Sequence, residues 1–275
     1  ASEKRYRVGF ERLGVKSFDR LWELIRFLPQ LIRLRSDRSV YQLVSSYIQD
    51  PHLRQVMSFH PLLIGGNPFN VTGIYSLISY LEQQFGVWSA MGGTGSLVTG
   101  MANLITGQGS RIRLNTAVDE IVVEGGRATG VKLANGESLD ADIVVSNADA
   151  AWTYRHLIAE QHRRRWTNRR IDNAAYSNGL FVWYFGTSKR YEDIPHHMVI
   201  LGPRYEGLLR DIFKNKRLTE DFSLYLHRPT ATDPSMAPSG CDTFYALVPV
   251  PHLDADIDWR DQAEPFRQSI QQHLE

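Results

Sequence analysis

The chain has 275 residues, 31 Lys plus Arg against 30 Asp plus Glu, and a single cysteine. That length buries a sizeable core and suits one large or two ordinary domains. The balanced charge gives no global field for nucleic acid, and a lone Cys241 excludes an internal disulfide or a cysteine metal cluster.

No apolar run is long enough to span a bilayer, and the opening "ASEKRYRVGFERLG" is neither a signal peptide nor a start with Met. The sequence therefore reads as an excised piece of a longer protein. Residues 1–90 read as a helical region. "SFDRLWELIRFLPQLIRLRS" places Leu21, Leu24, Ile25, Leu28, Leu31, Ile32 and Leu34 near a 3.6-residue period. Pro29 is expected to kink this helix or split it. Arg20, Arg26, Arg33, Arg35 and Arg38 give it a basic rim, the pattern of a helix lying on a lipid surface. Asp50–Pro51 marks a new helix start, Gly65–Gly66 and Asn67–Pro68 a turn, and Thr72 or Gly73 precedes a helix that Gly86 closes.

The texture changes over residues 91–150. "MGGTGSLVTGM", from Met91 to Met101, sets three glycines within four residues ahead of an apolar helix that ends at Gly107 or Gly109. It is neither a P-loop nor G-x-G-x-x-G. "RIRLN", "AVDEIVVEGG", "RATGVKLANG" and "ESLDADIVVSNAD" then predict a meander of three or four strands, turning at Gly125–Gly126 and Asn135–Gly136. Residues 151–275 open with a helical, basic stretch to about Asn173. Its run "HRRRWTNRR" reads as a solvated helix face, or as a patch for anionic lipid. Four strands follow, "GLFVWYFGT", "HHMVILG", "FSLYLHRP" and "DTFYALVPV", and then a helical pattern, "WRDQAEPFRQSIQQHLE", without a closing cap. The expected fold is α+β: a helical region, a β-meander, and a mostly antiparallel sheet with flanking helices.

A Gly-Gly loop, a helix, a meander and an apolar strand ending in "SNA" follow in an order that resembles the middle of the FAD-dependent amine oxidase and carotenoid desaturase superfamily. "SFHPLLIGGNPF", "IYSLISYLE", "GVWSAMGGTGSLVTGM", "VSNADAAWTYRHL" and "EDFSLYLHRPTATDPSMAPSGCDTFYALVPVPHL" resemble its bacterial-type phytoene desaturase branch, over essentially the whole chain. The resemblance implies FAD as cofactor and the introduction of double bonds into phytoene, toward neurosporene or lycopene. It further implies phytoene and its desaturated intermediates as partners, and a peripheral position on the cytoplasmic side of a membrane. It places the Gly92–Gly93 loop beside the flavin, the backbone of Val118 against the adenine, and Ser146, Asn147 and Ala148 close to the flavin. Read alone, the same residues are an ordinary turn, a strand core residue and a helix cap. The family's opening G-x-G-x-x-G and its second Gly-rich FAD motif do not occur among these 275 residues. The chain by itself is thus expected neither to hold FAD tightly nor to turn over substrate.

Arg26 is a catalytic candidate through its place in a family segment, with a solvent-facing arginine as the alternative. His60 is a weaker candidate for a proton relay, against the reading of a satisfied core histidine. Phe59, Phe69, Trp88, Phe181 and Trp183 supply the aromatic load that an apolar substrate channel needs, although each also suits a core. His196–His197 lack a third ligand at metal spacing, so no metal is expected. Hydrolase motifs are absent. Two other readings stay open. One is a different polyene enzyme, such as a diapophytoene desaturase, carotenoid isomerase or retinol saturase-like protein. The other is a non-catalytic lipid-binding α+β module.

Overall fold

The computed structural model describes residues 2–14 and 21–275; the expected Arg20, and the side chains of Leu21 and Leu24, lie outside what is described. Helix α1 (Ser2–Tyr6) continues as a π-helical stretch over Arg7–Leu13. Helix α2 (Leu21–Arg33) runs through Pro29 as one helix, so the division expected there does not occur. A proline removes one backbone donor from its helix, and here the turns on either side hold without it. Helix α3 (Val40–Ser45) starts on a capping box. The Gln42 N–H donates to Ser39 Oγ at 3.1 Å, and the Ser39 N–H donates to Gln42 Oε1 at 3.0 Å. Asp50 caps α4 (Pro51–Ser58), accepting from the Leu53 N–H at 2.9 Å. A 3₁₀ turn over Gly73–Ser76 leads into α5 (Leu77–Phe85), which Gly86 ends at φ 74°. Helix α6 spans Thr94–Gly107.

The chain divides into two compact units, one formed by Ala1–Leu97 with Ser177–Glu275 and the other by Val98–Tyr176. The helical first region and the second sheet, expected as separate parts, thus share one unit. In the Val98–Tyr176 unit, β1 (Val118–Glu124), β2 (Arg127–Leu133) and β3 (Ser138–Asp140) form the antiparallel meander in the order β1-β2-β3. Gly125 and Gly126 link the first pair at φ 57° and 80°, the two positive angles that a tight two-residue hairpin turn demands. Gly136 closes the second turn, where Asn135–Gly136 was expected to do so.

Three strands meet the expected three or four, and two strand-like runs stay outside the meander. Residues 111–115 form no strand, and residues 143–145 have no ladder partner, leaving Ile143 and Val145 78% and 87% exposed. A strand exists only where its backbone groups find a neighbour, and the described residues supply none for either run. Asp149, rather than Ser146 or Asn147, caps the next helix, α7 (Ala150–Trp152), accepting from the Trp152 N–H at 2.8 Å. The basic stretch breaks into short turns before α8 (Asn168–Asp172) instead of forming one helix.

The other unit holds β4 (Gly179–Thr187), β5 (His197–Ile200), α9 (Tyr205–Arg210), β6 (Leu224–His227), β7 (Asp242–Val250) and α10 (Trp259–Leu274). Its four strands are antiparallel in the order β4-β7-β6-β5. Alternation along β7 buries Asp242, Phe244, Ala246, Val248 and Val250 and leaves the residues between them half-buried. The buried face packs with Leu224 and Leu226 of β6 and with Phe266 and Ile270 of α10. Each of these larger apolar side chains contributes roughly 1.5–3 kcal/mol. A second cluster, Tyr205, Leu208, Leu209 and Ile212 with Tyr41, Leu62 and Phe69, ties α9 to the helical region. The fold is α+β, helices with antiparallel sheets.

Candidate functional site

The period-2 geometry that sends one set of side chains toward α10 sends the other set to the opposite face of the same sheet. There Val182 and Tyr184 of β4, His227 of β6, and Thr243, Tyr245 and Leu247 of β7 line a cavity of about 520 Å³. Trp88, Ser89, Ala90, Met91, Gly93 and Leu97 bound it on one side, and Pro229, Thr232, Asp233 and Met236 on another. All of these belong to a single unit.

The glycine loop has a definite job at this cavity. Gly92 and Gly93 both adopt left-handed backbone, φ 80° and 76°, which a residue with Cβ adopts at a cost. A Cβ on Gly93 would also stand 3.1 Å from the Met236 methyl, tighter than ordinary contact. The Gly92 N–H donates to Asp233 Oδ2 at 2.7 Å, and the Gly93 N–H to the Ala90 carbonyl at 2.9 Å. The Ser235 hydroxyl and then the Gly92 amide hold the Asp233 carboxyl below its ordinary range, so it is ionised at neutral pH. A diphosphate is gripped by uncommitted N–H groups away from negative charge. Here both amides are committed and a carboxylate sits beside them. The loop fits an apolar or flat-ring ligand and does not fit the diphosphate of FAD, so no reaction step is assigned through a flavin at this site.

Three imidazoles gather here, of which His196 and His227 line the cavity. The β5–β6 register sets His197 opposite His227, with His196 immediately before β5. Ring centroids are 4.3 Å apart for His196–His197, 4.6 Å for His196–His227 and 5.3 Å for His197–His227. His196 Nδ1 lies 2.5 Å from Thr232 Oγ1, and the Tyr225 hydroxyl lies 2.6 Å from His197 Nδ1 and 2.9 Å from His227 Nδ1. Burial lowers all three pKa values, and His227, which also feels His196 and His197, falls to about 4. All three rings are therefore neutral at physiological pH. The premise that His196–His197 lack a third partner is corrected: strand pairing supplies one that spacing along the chain does not show.

The expected channel aromatics divide. Trp88 rims the cavity, 87% exposed. Phe181 and Trp183 have the opposite parity and face α10. Phe181 packs on Trp259 at 5.7 Å and Phe266 at 5.1 Å, and Trp183 stacks on Phe185 at 4.3 Å with the Arg267 guanidinium 5.2 Å from its ring. Their neighbours Val182 and Tyr184 take the cavity positions, a choice fixed by which face α10 covers. Phe59 stacks on His60 at 4.6 Å, and Phe69 packs against Tyr41 and Tyr205. His60 is buried with its Nε2 3.2 Å from the Glu82 carboxylate, the position of a satisfied core histidine.

Arg26 is exposed on α2. In the other unit, Val118 opens β1 opposite Leu133, and Ser146 Oγ lies 2.8 Å from Thr153 Oγ1. Asn147 and Ala148 are exposed in the loop before α7.

The family model for flavin containing amine oxidoreductases matches residues 2–237. Over 279 residues the chain is 52% identical to the neurosporene-forming phytoene desaturase of Cereibacter sphaeroides, a match covering 100% of this chain and 54% of that protein. It is 45% identical over 275 residues to the lycopene-forming phytoene desaturase of Pseudescherichia vulneris, covering 100% of this chain and 56% of that one. The crystal structure of an oxidoreductase from Methanosarcina mazei superposes with a TM-score of 0.61 at 18% identity, over 95% of this chain and 57% of that one, a likeness of fold. The chain thus spans about half the length of the curated relatives it matches.

Proposed function

Because the chain belongs to the flavin-containing amine oxidoreductase family, we propose that the whole protein is an FAD-dependent phytoene desaturase. It introduces double bonds into phytoene on the way to neurosporene or lycopene. The observation that carries this reading is the cavity wall. A long hydrocarbon offers no charge to grip, so its binding comes from apolar burial, at roughly 25 cal/mol per Å² removed from water. Trp88, Met91, Leu97, Val182, Tyr184 and Leu247 offer that kind of surface, and the imidazoles beside them are uncharged. The names of the relatives support the substrate class. When bound, a flavin supplies two-electron oxidation of a CH–CH pair; the residues of this chain orient the chain of carbons and exclude water.

Two further parts belong to the same proposal. Arg26 faces the flavin or the substrate in the intact protein, where a fixed cation stabilises developing charge. The protein also sits peripherally on the cytoplasmic face of a membrane. Among the described residues no helix is long and apolar enough to cross one. Trp22, Ile25, Leu28 and Ile32 of α2 are exposed at helical spacing, with Arg33 exposed beside them, which supports attachment at a lipid surface.

The test is conversion in a host that accumulates phytoene, with the intact protein expressed and the carotenoids separated by chromatography. Neurosporene or lycopene should replace phytoene. Untouched phytoene alongside folded, flavin-loaded protein would reject the substrate. In the same assay Arg26→Ala should lower conversion on the order of 10-fold or more at unchanged flavin content; near-normal conversion would remove Arg26 from the reading.

A further inference from the structure

We propose that His196, His197 and His227 form a three-imidazole site for a divalent first-row transition cation of the zinc or cobalt kind, with its fourth coordination position open to the cavity. The inference rests on side-chain geometry and does not depend on the desaturase reading. One nitrogen from each ring lies within 4.8 Å of the other two. Ligands at about 2.0–2.1 Å from a tetrahedral zinc stand roughly 3.4 Å apart, so small side-chain rotations close the set. The three rings come from two paired strands and the residue before them, elements whose spacing the ladder holds fixed.

The second nitrogen of each ring is already accounted for, and this decides which atoms are offered. His196 Nδ1 is held by Thr232 Oγ1. Tyr225 stands between His197 Nδ1 and His227 Nδ1, its hydroxyl 2.6 Å from the first and 2.9 Å from the second. A phenol oxygen has lone pairs enough to accept from two imidazole N–H donors. In the proposed site Tyr225 accepts from both rings, so that each keeps its proton on Nδ1 and offers Nε2 to the metal. Metal-ligating histidines are held in this way, with the far N–H tied to an oxygen that fixes tautomer and ring plane. His196 Nε2 lies 3.4 Å from Ser89 Oγ, a long contact that a metal bond would replace.

The donor set also selects the ion. Three neutral nitrogens without a carboxylate disfavour magnesium, calcium and the two-histidine, one-carboxylate iron sites, and suit zinc, cobalt, nickel or copper. Asp233, ionised on the same cavity wall, offsets part of the cation's charge. Three protein ligands and one open position are the arrangement of catalytic rather than structural zinc, so the fourth position takes water or a small anionic or nitrogen ligand.

The experiment is metal loading of the intact protein after stripping with chelator. Zn²⁺ is titrated in competition with a chromophoric chelator, and Co²⁺ loading of flavin-free protein is followed by its visible absorption. One equivalent should bind, with the intense band of four-coordinate cobalt. His227→Ala and His197→Ala should each weaken binding at least about 100-fold, and Tyr225→Phe about 10–100-fold, whereas His162→Ala should leave it unchanged. His197 is exposed, so its variant carries the test should His227→Ala fail to fold. Retention of much less than one equivalent, or wild-type affinity in His197→Ala, would overturn the site.

Discussion

Asp242 carries charge into the core of the four-stranded sheet. Its carboxylate accepts from Arg228 Nε at 2.8 Å, Thr230 Oγ1 at 2.6 Å and the Tyr191 N–H at 2.7 Å. The Arg228 and Asp242 side chains are 2% and 0% exposed. Burial alone would raise the carboxyl pKa; the Thr230 hydroxyl, the Arg228 guanidinium and the Tyr191 amide together hold it below the ordinary range. Asp242→Asn removes the buried counter-ion and leaves the guanidinium only the exposed Glu192 carboxylate, 3.9 Å away, a loss on the order of 3–5 kcal/mol. The sign of the pH dependence follows from the depressed value. The carboxylate's contribution is fully present above the ordinary carboxylate pKa and is lost as pH falls through the lower, folded one. Denaturant titrations should therefore show a large gap between wild type and Asp242→Asn near neutral pH that narrows in acid. A gap that stays constant to about pH 3 would mean that the ion pair is not its source.

At the scale of elements, α2 shows a stripe that no other described residue covers. Trp22, Ile25, Leu28 and Ile32 are exposed on one helix with Arg33. An apolar stripe with flanking cations binds an anionic lipid surface through both burial and charge. The protein should sediment with anionic vesicles and release as salt rises, since exposed charges are screened within about 10 Å at roughly 0.1 M salt. Binding that is absent, or blind to salt, would remove the electrostatic part of the membrane proposal. Elements whose causes are local were legible in the sequence. Strands β4 and β7, the turns at Gly125–Gly126 and Asn135–Gly136, the Asp50 cap and the Gly86 stop all follow from neighbours a few residues away. What failed depended on distant partners. Residues 111–115 and 143–145 have strand-like composition but no paired neighbour. The parity that puts Val182 and Tyr184, rather than Phe181 and Trp183, on the cavity is set by α10. His227 joins His196 and His197 only through the β5–β6 register, and no spacing rule along the chain could have found it.

For the whole molecule, the question is what these 275 residues can hold by themselves. Family membership implies a flavin, whose diphosphate is the part of FAD that most needs the protein. Its charge must be met by free backbone N–H groups and the positive end of a helix. No G-x-G-x-x-G occurs in the sequence. The glycine loop is no substitute, because the Gly92 and Gly93 amides are spent on Asp233 and Ala90. Asp233 is ionised there and would repel a phosphate brought to the same loop. Ring contacts add shape complementarity and leave the diphosphate charge unmet, so affinity should fall far below that of a complete site. Residues 1–275 expressed alone should therefore emerge from a desalting column without stoichiometric flavin absorbance, whereas the longer protein retains it. Asp233→Asn in the short chain separates the two causes. If repulsion dominates, it should raise retention measurably; if missing donors dominate, retention should stay negligible. A stoichiometric flavin band in the unmodified short chain would show that its own residues neutralise the diphosphate, and would overturn the assignment of the glycine loop as an apolar surface.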